Sequence, residues 1–422
     1  MRASLPTTLF LAALSLGTVL GIAQTPRRPI AELPEIKGLP DPFTFVDGSA
    51  VHSKSDWERR RTELKGLFQA YVYGSLPAAP EKTTITRGKR LADGAGNVTL
   101  QNLDLTLEQE GRTLSMKVRI ALPLNAGKKV PVVVQGAFPS RSGKPDSSSE
   151  TQHFSLYTKR GYAVAELDFQ QVAPDSREGG NAGGVYELFG GRADCGTLMA
   201  WAWGMQRVVD AIETVPEIDS TKVIVTGHSR YGKAALIAGA FDERITLTVP
   251  SHSGCAGVAP FRFIYGQSEQ LQNIVGFAPH WFRKGFDEFV GNVQRMPVDQ
   301  HLLMALVAPR ALLSTEGTLD AWTNPRGAQL THKAAGKVYE FLGAGDRLSI
   351  LYRPVGHIPS IDDLLAYADH VFYGKTLSEE FGRLPYSDEP EGFGWDTPKE
   401  GRREPNSELQ EALTIPPSGP TP

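Results

Sequence analysis

From Val130 onward the chain repeats one pattern, in which a short apolar run rich in β-branched residues is followed by a stretch with helical periodicity. Runs uninterrupted by polar residues suit strands covered on both faces, and the helical stretches supply the crossovers that parallel neighbours require. The strand candidates are Val130 to Gln135, Tyr162 to Phe169, Lys222 to Thr226, Ile245 to Pro250, Arg310 to Thr315 and Leu348 to Arg353. Helices are expected over Thr197 to Thr214, Arg230 to Phe241, Pro325 to Leu342 and Ile361 to Phe372. Together they predict an α/β core with a mostly parallel central sheet in a three-layer sandwich. Ahead of it, Leu103, Leu105 and Leu107 and then Met116, Val118 and Ile120 alternate with polar residues, the period of strands with one buried face. They are joined through Gly111 and predict N-terminal antiparallel strands. Ser53 to Gly74, carrying Trp57, Leu64, Leu67 and Phe68, reads as a helix.

No Ser/Gly/Pro linker or repeat interrupts the 422 residues, so residues 42–383 are expected to form one domain. Residues 24–41, rich in proline and polar groups, predict a loosely packed arm, and residues 384–422 an extended or disordered Pro-rich extension. The apolar run Leu9 to Leu20 follows Arg2, is too short to span a bilayer, and precedes small residues at Gly21 and Ala23. Residues 1–23 are therefore read as a signal peptide of an exported protein, periplasmic or secreted. A retained anchor would need a stop-transfer pattern or a lipobox cysteine, and neither follows.

With 44 Lys+Arg against 47 Asp+Glu, the formal charge of −3 leaves no basic excess for nucleic acid or an anionic membrane. Cys195 and Cys255 are too few for a disulfide scaffold; they are either one pair or two buried thiols. No HExxH or two-Cys two-His spacing occurs, so no metal and no cofactor are expected. Nothing in the chain calls for a dimer, and a monomer is the expectation.

Chemistry enters at Val223-Ile-Val-Thr-Gly227-His-Ser229-Arg230-Tyr-Gly232, where a β-branched strand ends in Gly-x-Ser and a helix begins at once. That context is a nucleophile elbow, which exposes a serine hydroxyl and aims the first helical N–H groups at a reacting carbonyl. The second glycine sits one position late, so the spacing alone also admits a serine that merely caps its helix. In the α/β-hydrolase fold the partners follow in the order serine, acid, histidine. Asp320 follows the strand ending at Thr315, and His357 follows the strand ending at Arg353. Serine is a weak nucleophile, so His357 must take its proton while a carboxylate holds the imidazole tautomer.

These residues resemble the glucuronoyl esterases, carbohydrate esterase family fifteen, in their bacterial form. The resemblance covers most of the mature chain. It rests on Gly227-His-Ser229-Arg230-x-Gly232-Lys233, Gly239-Ala-Phe-Asp242-Glu243-Arg244, Gly196-Thr-Leu-Met-Ala-Trp201-Ala-Trp203-Gly204, Pro279-His280-Trp281-Phe282, Pro297-Val-Asp299-Gln-His301 and Ala308-Pro309-Arg310. It implies cleavage, through an acyl-enzyme, of (4-O-methyl-)glucuronoyl esters that link xylan glucuronic acid to lignin alcohols. It also implies Arg230 as oxyanion stabiliser, and Lys233 and Trp322 as sugar contacts. Trp281 is expected to be packing.

Two positions depart from the family pattern. His252 stands where fungal members carry a catalytic glutamate, so the acid role passes to Asp320, as in many bacterial members. Gln267 stands where the family has a sugar-binding acid, and Glu269 is out of register to replace it. Two other readings stay open. One is an acetyl or feruloyl esterase on the same fold, since a triad reports reaction class better than substrate. The other is a noncatalytic carbohydrate-binding homologue, motivated by His252 and Gln267.

Overall fold

A computed structural model describes residues 27–93, 97–125, 127–137, 147–387 and 392–398, with backbone alone for 147–151. The segment read as a signal peptide lies outside the described residues.

The alternating apolar runs become one mixed sheet of β1 (Lys82–Arg87), β2 (Leu91–Asp93), β3 (Val98–Gln109), β4 (Arg112–Pro123), β5 (Val130–Gly136), β6 (Ala163–Leu167), β7 (Ile218–His228), β8 (Leu247–Ser251), β9 (Ala311–Gly317) and β10 (Leu348–Arg353). Their order is β1-β3-β4-β6-β5-β7-β8-β9-β10, with β2 paired to β3. β3 and β4 form the expected antiparallel hairpin through Glu110 and Gly111, and every pairing from β6 through β10 is parallel. The weakly apolar β1 and β2 escape the sequence reading, because edge strands with exposed faces carry little hydrophobic signal.

The helices are α1 (Lys54–Phe68), α2 (Ser147–Thr158), α3 (Gly184–Leu188), α4 (Thr197–Ile212), α5 (Arg230–Phe241), α6 (Leu271–Phe277), α7 (Gln300–Ala305), α8 (Pro325–Leu342) and α9 (Ile361–Tyr373). The predicted helix 53–74 divides: Ser53 caps α1 in a capping box with Asp56, and a π turn over Gln69–Tyr73 follows. Successive strand residues point to opposite faces, and the core divides accordingly. Val132, Val134, Val223, Val225, Leu312 and Ile350 join α4, α5 and α8 in one cluster. Val133, Ile224, Leu313 and Leu351 join α2 and α9 in another. This is the three-layer α/β-hydrolase arrangement.

The arm departs from the expectation of loose packing. Leu33 and Leu39 are buried, and the Ile36 and Leu39 N–H groups donate to Gln294 and Gly392 carbonyls at 2.8 Å. Part of the C-terminal extension also docks. Trp395 stacks on Phe393 at 4.5 Å, faces His301, and donates its indole N–H to the Leu39 carbonyl at 2.9 Å. Few apolar residues in a polar stretch give no periodicity, yet two adjacent aromatics suffice to anchor it. Cys195 and Cys255 are free, buried thiols.

Because the strands from β5 to β10 are parallel, Gly136, His228, Ser251, Gly317 and Arg353 end at one edge of the sheet. Ser229, His252, Asp320 and His357 all lie just beyond those ends, where open α/β sheets place their sites.

Candidate active site

Ser229 has φ 58° and ψ −125°, a backbone state a non-glycine residue keeps only when its surroundings enforce it. Its N–H donates to the Ser251 carbonyl at 2.9 Å, and its own carbonyl accepts from Gly232 N–H at 2.9 Å and Lys233 N–H at 3.2 Å. The shifted second glycine is explained here. A Cβ at Gly232 would stand 2.8 Å from the Gly227 carbonyl oxygen, and one at Gly227 would overlap the Tyr231 backbone. Tyr231 itself packs on Phe169 and Trp201 at 4.8 and 5.3 Å. The turn therefore needs its second small residue at position 232. α5 starts at Arg230, so the positive end of its dipole meets the nucleophile.

His357 Nδ1 donates to Asp320 Oδ2 at 2.6 Å, the acid–imidazole contact a triad needs. Since a carboxylate only accepts, Nδ1 carries the proton and Nε2 is left as the base. Burial raises the Asp320 pKa, but hydrogen bonds from His252 and His357 outweigh it and hold the carboxyl well below the usual range. Asp320 is thus an anion at neutral pH.

The strand β9 brings a second acid close, Glu316. It is fully buried and neither carboxyl oxygen has a hydrogen-bond partner among the described residues. Burial, and then the Asp320 charge, push its pKa well above the ordinary value. A neutral acid cannot balance an imidazolium, so the charge partner of His357 is Asp320.

Two further imidazoles crowd this carboxylate. His252 Nδ1 lies 2.9 Å from the same Asp320 Oδ2, and the His228 ring lies 4.2 Å from that of His357. Burial, then His357 and His252, push the His228 pKa down to about 3, so it stays neutral. His252, Asp320 and His357 are the one grouping among the described residues with metal-ligand spacing. Both imidazole Nδ1 atoms are committed to Asp320, which accounts for the cluster without an ion.

Arg230 is half-exposed beside the serine, and its guanidinium pairs with Asp175 and lies 5.2 Å above the Trp281 ring. Asp175 also accepts from His280 Nε2 and Trp281 Nε1, each at 2.8 Å. Burial would raise the Asp175 pKa, yet these donors bring it down to about 2. Trp281, expected to be packing, is buried and also carries the arginine. Asp175 was missed, since an acid in an irregular polar loop has no sequence signal.

Three sugar-side expectations meet different outcomes. Trp322 is 48% exposed beside Asp320, free to cover a sugar face. Lys233 is buried, and its three N–H donors go to the Ser253 carbonyl at 2.7 Å, the Cys255 carbonyl at 2.5 Å and Glu269 Oε2 at 2.9 Å. In this structure all three ammonium donors are taken up by the loop beneath the site, which Lys233 braces. Glu269, read as out of register, is the lysine's partner, whereas Gln267 is exposed. Backbone direction in the irregular loop after Phe261 decides that exchange.

The sequence model of the family described as glucuronyl esterase, fungi, matches residues 105–343. A 4-O-methyl-glucuronoyl methylesterase of Schizophyllum commune is 34% identical over 386 residues, 85% of this chain and 90% of that protein. Among solved structures, a carbohydrate esterase family fifteen glucuronoyl esterase from Caldicellulosiruptor kristjansonii superposes with TM-score 0.74 at 36% identity, covering 87% of this chain and 98% of that one. A Sporotrichum thermophile glucuronoyl esterase, solved as a serine-to-alanine mutant in complex with methyl 4-O-methyl-beta-D-glucopyranuronate, superposes with TM-score 0.69 at 27% identity over 82% of this chain and 91% of that one.

Proposed function

This chain belongs to the glucuronoyl esterase family, and from that premise we propose how its residues divide the work of hydrolysis. It is a carboxylic ester hydrolase acting on glucuronoyl esters. The observation that carries the assignment of roles is the strained Ser229 turn, set at the same sheet edge as an imidazole held by a carboxylate at 2.6 Å.

In the proposed reaction the Ser229 hydroxyl attacks the uronoyl carbonyl while His357 Nε2 takes its proton. The tetrahedral oxyanion forms against the N-terminal end of α5 and the Arg230 guanidinium, which its contacts with Asp175 and Trp281 hold ready. His357 then passes the proton to the leaving alcohol, and a water activated by the same imidazole releases the glucuronate. Asp320 carries the charge that balances His357 at each transfer. Trp322, Gln267 and Arg230 are the exposed groups available to the sugar, with Lys233 and Glu269 bracing the loop behind them.

The natural ester is proposed to be the glucuronoxylan–lignin linkage, supported by the resemblance of the motifs around Ser229 and Trp322. Export is proposed on the apolar run that follows Arg2. The test is the initial rate on a benzyl glucuronate ester beside 4-nitrophenyl acetate, with Ser229→Ala as control. A uronate rate above the acetate rate that disappears in the variant supports the roles; cleavage of acetate alone removes the substrate assignment. Loss of neither rate in Ser229→Ala would remove the nucleophile.

A further inference from the structure

His252 is a buried polar side chain that takes no part in the proton transfers proposed above, at the end of β8 in a left-handed backbone state with φ 46°. Its N–H donates to the Thr315 carbonyl at 2.8 Å, which ties that turn to β9, the strand that delivers Asp320. The ring then presents Nδ1 to Asp320 Oδ2 at 2.9 Å, on the oxygen that also receives His357 Nδ1–H. Its opposite nitrogen, Nε2, is buried with no hydrogen-bond partner among the described residues. The Gly317 backbone closes on the ring, since a Cβ there would stand 2.9 Å from His252 Cε1.

From these contacts we infer that His252 is a positioning residue for the triad: an N–H donor that fixes the rotamer of Asp320. This rests on Asp320 being the catalytic acid. The tautomer follows from the partners. A carboxylate only accepts, so His252 Nδ1 bears the proton and Nε2 is bare. Protonating Nε2 would place a cationic N–H in a buried space with no acceptor, which is costly. His252 therefore lends Asp320 a hydrogen bond on the oxygen that also receives His357. Without His252, the carboxylate can turn toward the Thr323 side chain, its other hydrogen-bond partner.

The groups facing this carboxylate come from four elements. They are His228 from the elbow, His252 after β8, His357 after β10, and Glu316 on β9, beyond which lies Lys233. Neither carboxyl oxygen of Glu316 has a hydrogen-bond partner among the described residues, so Glu316 does not replace the His252 donor.

Asn and Leu have nearly the same shape, but only Asn offers an N–H close to where Nδ1 stands, and Asn tolerates positive φ. His252→Asn is expected to keep kcat within about threefold, whereas His252→Leu loses about tenfold or more in kcat at unchanged KM. In the Leu variant the acid limb of the pH–rate profile moves downward, because a carboxylate turned toward Thr323 stabilises the imidazolium less. A folded Leu variant with unchanged kcat and acid limb, or an Asn variant no better than Leu, overturns the inference. If the Leu variant does not fold, proton NMR of the wild-type enzyme decides. Two downfield imidazole Nδ1–H resonances support the clamp, and one alone refutes it. Asp320→Asn is measured alongside. If it stays active the acid assignment itself falls; if it is dead while His252→Leu is unaffected, only the role of His252 falls.

Discussion

The chemistry concentrates on two carboxylates that each gather several donors. Asp175 takes Arg230, His280 and Trp281, and the order it imposes on Arg230 is what an oxyanion partner needs, since a guanidinium already aimed does not reorganise during reaction. Asp175→Asn is expected to lower kcat about tenfold to a hundredfold with little change in KM, measured on a uronate ester. Glu316 behaves oppositely, because nothing in its pocket favours its ionised form. Its folded pKa lies above its unfolded value near 4.5, so the unfolded chain releases a proton as pH rises through that value and stability is lost upward from there. Glu316→Gln mimics the neutral acid and has no proton to release. Chemical denaturation should find the variant more stable than the parent at pH 7, with the gap closing toward pH 4. A gap that widened toward low pH would contradict a neutral Glu316.

At the scale of elements, the elbow depends on how closely β7 and α5 meet. Gly227 allows the first turn of α5 to approach the end of β7, and a methyl group there would overlap the Tyr231 backbone. Gly227→Ala is expected to cost about 1–3 kcal/mol by overpacking, and to displace Ser229 enough to abolish most activity in the protein that still folds. Urea titration with a parallel rate assay separates the two effects. α8 shows the converse, a boundary that one residue sets locally: Asn324, with φ 57°, caps the helix through Gly327 N–H and donates to the Phe263 carbonyl.

At the scale of the whole molecule, both ends of the described chain close over the α1–α8 side. Trp395 lies against Phe393, His301 and Phe43 and is held by the Leu39 carbonyl, so the C-terminal stretch fastens the N-terminal arm to the domain. Trp395→Ala should destabilise the protein by about 2–3 kcal/mol through lost burial and contacts, seen as a lower denaturation midpoint, while kcat of the folded enzyme is unchanged. A variant with the parent midpoint would show the docked stretch to be energetically idle.

Read by itself, the chain already determines its layered fold and its reaction class. β-branched runs such as Val130 to Gln135 bury both faces wherever they pair, and the elbow, Asp320 and His357 follow the strand ends in an order that the parallel sheet brings to one edge. Local periodicity carries those facts because each depends on neighbours a few residues away. The rest depends on long-range approach. His252 meeting Asp320 across 68 positions, Lys233 exhausting its donors on Ser253, Cys255 and Glu269, Asp175 gathering Arg230 with His280 and Trp281, and the docking of Trp395 are contacts between residues distant in sequence. Only packing decides them, since burial and hydrogen-bond direction exist once the sheet and its loops are in place.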